Sequence, residues 1–363
     1  MVDKRNLKPL FSRPYEYAMK MKTYILLLNA AATLSLLASV SSCTKTSTDI
    51  GSGTGTYIEF ASALTKTPVN SASDMSEFAV WAYYQAADGS AKIQMENIKV
   101  HRESDNSWSY AELQTWKEGD WHFEALYPLP SSLETSEITS EKDALEWNFT
   151  ISKDGTLTGP TGLNINYYYG PTASHDLMTA SHDRTYSETT PNSAPVQFTF
   201  SHLLSRVSIA VKAYGNDVFL HSLTFSGMSI LGEFNTQTSG VGKWNLLTSI
   251  PELSNVQPGN FSANQDNIQN PLPSDGTPVT VLPDLLLIPQ TPGGSANAEN
   301  PVKIDIAYQT ETGQEQRDEV YLPSTTTWES GKHYKYTLMV SGADVGLNVN
   351  IVKWDERNFS VEF

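Results

Sequence analysis

Val196 to Ala213 reads VQFTFSHLLSRVSIAVKA. Val196, Phe198 and Phe200 alternate with polar residues, and Val207, Ile209 and Val211 do so again, which is the period of a strand with one buried face. The two alternations are out of phase, broken at His202-Leu203-Leu204. A slip of one residue sends every side chain to the opposite face, so the break predicts a bulge or the passage of the chain from one sheet to another.

Strand patterns continue on both sides of this run. Downstream lie VFLHSLTFSGM, SILGEFN, VTVLPDLLLIPQ, VKIDIAYQ, DEVYLP, HYKYTLMVS, LNVNIVKW and NFSVEF, nearly all ended by Gly, Pro or Asn. Upstream, FAVWAYY (78–84), IQMENIKVH (93–101), WSYAEL, DWHFEALYP and EWNFTI are spaced by turn residues, and no stretch holds a helical period for three turns. Trp81, Trp108, Trp116, Trp121 and Trp147 fall in this half, where core packing and cross-strand pairing account for most aromatic residues. A loop-rich stretch, 167–195, separates the two sets, so the expected organisation is one β-sandwich over residues 56–190 and a second over 191–363.

Further upstream the composition changes. Residues 44–55, TKTSTDIGSGTG, have the small polar make-up of a flexible tether, expected over 43–55 with the preceding cysteine. Lys20 and Lys22 precede an apolar run, Tyr24 to Val40, that ends in Ser41, Ser42 and Cys43. A positive flank, a short apolar core and a small-residue exit are the parts of a secretory signal peptide, expected over residues 1–42. Met19 and Met21 are both well placed as starts, and residues 1–18 read as an extension upstream of the true one. Val40-Ser41-Ser42-Cys43 resembles the bacterial lipobox, in which the thiol is diacylated after cleavage of the preceding bond. Cys43 is the one cysteine of the chain, and acylation consumes a thiol that would otherwise be left exposed and reactive. The expected location is the outer membrane and cell surface, with the acyl chains as the lipid contact.

The net charge is −16, and it becomes −20 without the first 42 residues, which carry six Lys/Arg and two Asp/Glu. Such a chain repels nucleic acid, and phosphate-binding motifs are absent. With no cysteine pair, disulfides and zinc sites of the usual spacing are excluded, and no cofactor or metal is expected. Ala-Ser-His-Asp occurs at 173–176 and again at 180–183, giving two His-Asp pairs that could ligate a metal or simply be solvated. Acidic pairs such as Glu118/Asp120 and Asp318/Glu319 arise by chance among 40 acids.

Taken together, the lipobox at Cys43, YIEFASAL (57–64) followed by the basic residue Lys66, DLMTAS (176–181), the run from Val196, LLLIPQ (285–290), and the closing pair WESGKHYKYTLMV and LNVNIVKW resemble the fimbrillin family, the lipoprotein-exported subunits of type V pili. The resemblance implies two tandem transthyretin-like β-sandwiches, no catalysis, other fimbrial subunits as partners in a homo- or hetero-polymer, and a host or bacterial surface ligand. It also implies assembly by strand exchange. A protease cuts after a basic residue, here Lys66 where the family usually has Arg, and removes the strand carrying Ile58, Phe60 and Leu64. The vacated groove is then refilled by an extended segment. Leu347, Val349 and Ile351, then Phe359, Val361 and Phe363, alternate with polar residues, making Leu347–Phe363 the expected donor, since added strands supply backbone hydrogen bonds and side-chain anchors together. A terminal edge strand of the chain's own sheet is the other reading of that segment. For the whole protein the alternative is a glycan-binding surface lipoprotein that does not polymerise, and a secreted hydrolase is a weaker third.

Overall fold

The computed structural model describes residues 56–60 and 75–360, apart from 135–137, 139–143, 170–175, 216, 237–243, 248–256, 265–267, 269, 294–300, 311–312, 342–343 and 354–358. Cys43, Leu64, Lys66, Val361 and Phe363 lie outside the described residues, as does the apolar run 24–40.

Seven strands form the first sheet. From edge to edge they are β21 (Phe359–Ser360), β10 (Thr199–His202), β9 (Met178–Tyr186), β4 (Gly119–Tyr127), β1 (Glu77–Gln85), β2 (Ala91–Arg102) and β3 (Trp108–Tyr110). One face lies under a four-stranded sheet made of β14 (Trp244–Leu246), β13 (Leu231–Asn235), β8 (Leu163–Tyr168) and β5 (Leu145–Trp147). A small hairpin, β6 (Thr150–Ile151) with β7 (Leu157–Thr158), stands beside it. The remaining strands make a sandwich of two four-stranded sheets. One is β16 (Val279–Leu287), β11 (Ser205–Ala213), β19 (Lys332–Ser341) and β20 (Asp344–Lys353); the other is β15 (Gly259–Asn264), β12 (Val218–Met228), β17 (Lys303–Thr310) and β18 (Gln316–Tyr321). Among the described residues the all-β expectation holds, with one 3-10 turn at Pro130–Leu133.

The phase break at His202-Leu203-Leu204 is where the chain changes sheets. β10 ends at His202 in the seven-stranded sheet, and β11 begins at Ser205 in the sandwich, with strict alternation of buried and half-buried positions. Leu203 and Leu204 fill the core between the seven-stranded sheet and its neighbour. Strands also cross position 190 in both directions: β10 pairs with β9, and β13 pairs with β8. Covalent order and sheet membership therefore diverge around the expected boundary, because the apolar run from Val196 serves two sheets.

β1 and β4 are buried on both faces, Phe78–Tyr83 and Trp121–Leu126 without interruption. Phe78, Val80, Ala82, Trp121, Phe123 and Ala125 face one core, while Ala79, Trp81 and Leu126 face the other. The second face of β4 also carries His122 and Glu124, which a strand covered on one side only would have left in water.

Candidate functional site

One recess beside the seven-stranded sheet is filled by the chain's own backbone. Residues 56–60, the entry segment, lie between the chain at Gln114–Trp116 and the chain at Val196. The Ile58 N–H donates to the Gln114 carbonyl at 2.8 Å, the Trp116 N–H donates to the Thr56 carbonyl at 3.1 Å, and the Val196 N–H donates to the Glu59 carbonyl at 2.9 Å. Among the described residues, pairing of this segment consists of isolated bridges, Tyr57 with Thr115 and Phe60 with Val196.

Side chains supply most of the anchoring. Ile58 and Phe60 are buried, at 0% and 4% exposure, while Tyr57 and Glu59 face outward. The Phe60 ring lies in an aromatic cage: Tyr110 at 5.3 Å, Phe198 stacked at 5.9 Å, Phe123 at 6.4 Å and Phe78 at 6.5 Å between centroids. Full burial of two such side chains contributes roughly 1.5–3 kcal/mol each before ordering costs. The Tyr110 hydroxyl donates to the Ile58 carbonyl at 2.8 Å and accepts the Gln114 N–H at 3.1 Å, so one phenol joins the segment to the wall. Burial, reinforced by the nearby Glu59 charge, pushes the Tyr110 phenol up to about 12 and keeps it a neutral donor.

The far wall is held by Arg184. Its guanidinium donates to the Ala194 carbonyl and, at 3.0 Å, to the Pro195 carbonyl, and it lies 5.3 Å over the Trp116 ring. It thus fixes the residues just before Val196 to the opposite lip.

Behind β4 lies a buried polar network. His122 Nδ1 is 2.6 Å from Asp183 Oδ1, and Nε2 is 3.0 Å from Glu124 Oε1. Glu124 is 2% exposed and also accepts from the Thr236 hydroxyl, which itself accepts the Leu163 N–H at 2.7 Å. The network ties the seven-stranded sheet to the sheet across the core. Gly162 permits the approach: its φ is +113°, and a Cβ there would lie 1.4 Å from the Thr236 carbonyl oxygen. Burial pulls His122 downward, but its bonds to Glu124 and Asp183 outweigh it and hold the imidazole above its ordinary value. Burial raises the Glu124 carboxyl, with His122 and Thr236 opposing only in part.

Other expected residues are placed as follows. Leu347 and Val349 pack on the sandwich core from β20, an edge strand in a ten-residue antiparallel ladder with β19, and Ile351 is 49% exposed on the same strand. Phe359 is opposite Phe200 at the edge of the seven-stranded sheet. Of the two Ala-Ser-His-Asp stretches, residues 173–175 lie outside the described residues; Asp176 pairs with His202 at 2.6 Å, and Asp183 pairs with His122. No group of three metal-binding side chains occurs among the described residues. Glu118 accepts from Ser187, Asp120 from Thr185, Asp318 from Tyr308 and Glu319 from Lys303, so both acidic pairs are engaged in structure. Tyr110 and Arg184 were not legible in the sequence, since a phenol bonded to a carbonyl 52 positions away leaves no local signal.

The fold is that of a fimbrial protein: a crystal structure from Bacteroides vulgatus superposes with a TM-score of 0.58 at 18% identity, covering 82% of this chain and 99% of that one. A tip fimbrial protein with C-terminal truncation and a fimbrial anchor protein, both from Porphyromonas gingivalis, match at 11% identity with TM-scores of 0.34 and 0.36, over 82% and 83% of this chain and 98% and 97% of theirs. No curated protein matches in sequence. A fimbrillin-like family model matches residues 65–354, and the chain belongs to that family. It is therefore a protein of the fimbrial and cell-adhesion type, whose members build cell-surface appendages.

Proposed function

We propose that the chain is a non-enzymatic subunit or accessory adhesin of a type V pilus, built as two transthyretin-like sandwiches, exported as a lipoprotein acylated on Cys43 and assembled by strand exchange. Cutting after Lys66 releases the strand that carries Ile58, Phe60 and Leu64, and a neighbouring subunit's C-terminal segment fills the vacancy. One observation carries this reading. The entry segment is anchored by two fully buried side chains but joined to its surroundings by isolated bridges, so it behaves as a replaceable insert rather than a ladder strand. An incoming strand recovers the same burial and the same few backbone bonds.

The donor residues fall into two groups. Leu347, Val349 and Ile351 belong to the β19–β20 ladder, so donation reaches them only if β20 peels away. Phe359, Val361 and Phe363 lie beyond that ladder in sequence and are the readier donors.

The test is N-terminal sequencing of material recovered from surface filaments, together with trypsin treatment of the purified chain. Assembled protein is expected to begin at Thr67, and the cut chain is expected to form ladders that resist mild SDS. Filaments whose subunits begin at Cys43 exclude this route.

A further inference from the structure

Two Asp-Gly turns meet beside the seven-stranded sheet. Asp88-Gly89-Ser90 joins β1 to β2, and Asp154-Gly155-Thr156 joins β6 to β7; the Ala91 N–H donates to the Gly155 carbonyl at 2.7 Å and holds the two together. Each turn is also closed on itself by its aspartate. Asp88 accepts from the Ser90 N–H at 2.9 Å and from the Ser90 hydroxyl at 2.6 Å, while Asp154 accepts from the Thr156 N–H at 3.1 Å and from the Ser152 hydroxyl. Turns bonded in this way keep one backbone shape.

Between them lies a cleft of about 470 Å³, within the usual range of small-molecule sites, roughly 300–1,000 Å³. Tyr84 lines it, half-buried and stacked on the buried Trp121 ring at 5.1 Å. Lys92 is directly opposite Tyr84 across the β1–β2 ladder, so the ring and the lysine stem share a face. Lys153 lines the cleft from the second turn, and both lysines are exposed. Lys99, Lys303 and Lys332 each have a carboxylate partner, whereas Lys92 and Lys153 have none among the described residues. Asp154, the one acid among the described lining residues, is taken up by Ser152 and Thr156. In a chain where 40 acids face 24 bases, this leaves a small positive spot within a field that repels extended polyanions.

We propose that this cleft binds a carboxylated sugar. A pyranose has a face of C–H groups, which packs on the Tyr84 ring as other apolar surface does. Its carboxylate sits between the Lys92 and Lys153 ammonium groups in charge-assisted hydrogen bonds. Its hydroxyls donate to the Ser90 and Ser152 oxygens, whose own protons are already given to Asp88 and Asp154. A single carboxylate on an otherwise neutral ring suits a spot of two cations in an acidic surround, where a polyphosphate is repelled. This deepens the adhesin reading by naming the class of ligand, and it does not depend on strand exchange.

The test titrates the full chain carrying Cys43→Ala, by calorimetry and saturation-transfer NMR, with methyl β-D-glucuronide, methyl α-N-acetylneuraminide and the uncharged methyl β-D-glucoside. At least one acidic sugar is expected to bind about tenfold more tightly than the glucoside, or better, the size of effect one hydrogen bond to a charged group supplies. Lys92→Gln and Lys153→Gln are each expected to weaken that binding about tenfold, and the double variant to reduce it to the level of the glucoside. Lys335→Gln, an exposed lysine on β19, is expected to leave it unchanged. Both cleft lysines are exposed and unpaired, so their variants should melt with the parent, and the comparison is made on folded protein. Equal binding of acidic and neutral sugars, binding indifferent to both lysines, or displacement by inorganic phosphate at the concentration of the bound sugar each overturn the inference. SDS-resistant ladders of the cut chain report assembly separately: ladders without acidic-sugar binding sink this inference alone, and acidic-sugar binding without ladders at any concentration sinks the assembly reading alone.

Discussion

Phe60 and Tyr110 divide the work of holding the entry segment. Phe60 supplies burial that any large apolar side chain could approximate, whereas Tyr110 reads a backbone carbonyl, a contact that does not depend on the sequence of the strand it holds. Phe60→Ala is expected to lower the stability of the uncut chain by about 3–5 kcal/mol in denaturant titration. Tyr110→Phe should cost about 1–2 kcal/mol, leaving the Gln114 N–H without its acceptor. A Phe60→Ala chain as stable as the parent would mean the cage is not what holds the segment. His122 and Glu124 carry a second residue-level consequence. Both have folded-state pKa values above their ordinary ones, so the folded chain holds these protons more tightly than the unfolded chain. Their contribution is complete below the ordinary carboxylate range and is lost as pH rises through the folded values of Glu124 and His122. Glu124→Gln should therefore gain in melting temperature relative to the parent as pH rises above the ordinary carboxylate range, and parallel curves would refute it. Ile58 and Phe60 were legible because alternation alone marks them as the inward positions of a strand. The His122 network was not, because only tertiary structure shows that β4 is covered on both faces.

At the scale of elements, the one-residue slip inside Val196–Ala213 was readable as a bulge or a change of sheet, and the structure shows the second, since β10 and β11 belong to different sheets. The membership of β8 and β13 in one sheet was not readable: their partners are about seventy residues apart, and each strand alternates without naming its neighbour. The same holds for β20, whose alternation suits a donor as well as the edge strand of its own sheet in which the structure places it. This distinction gives a prediction. Deleting residues 358–363 removes only the two-residue β21 from the described ladders, so the melting temperature of the uncut chain should hardly change while SDS-resistant ladders are lost. A large drop in melting temperature would instead assign the tail to the permanent core.

For the whole molecule, an acidic chain of this charge gains little from anionic lipid surfaces, so in the proposed reading attachment rests on acylation of Cys43. Cys43→Ala should abolish incorporation of a palmitate analogue and leave an uncleaved precursor or a soluble product, and label retained by the variant would refute the lipoprotein reading. The pairing of β11 with β19 has one more consequence. These strands run parallel, from Arg206 with His333 to Ala213 with Val340, across more than a hundred intervening residues. Because loop closure precedes the reward of pairing, β16 can lie against β11 early, but the parallel half of this sheet cannot be completed until residue 332 has been made. Under the proposed export, most of the chain would therefore have crossed the inner membrane before β11 gains its second neighbour, an order of events suited to a secretion channel that passes only unfolded polypeptide. Chains stopped short of Lys332 should stay sensitive to protease throughout residues 205–330, whereas chains extended to Lys353 should become resistant there.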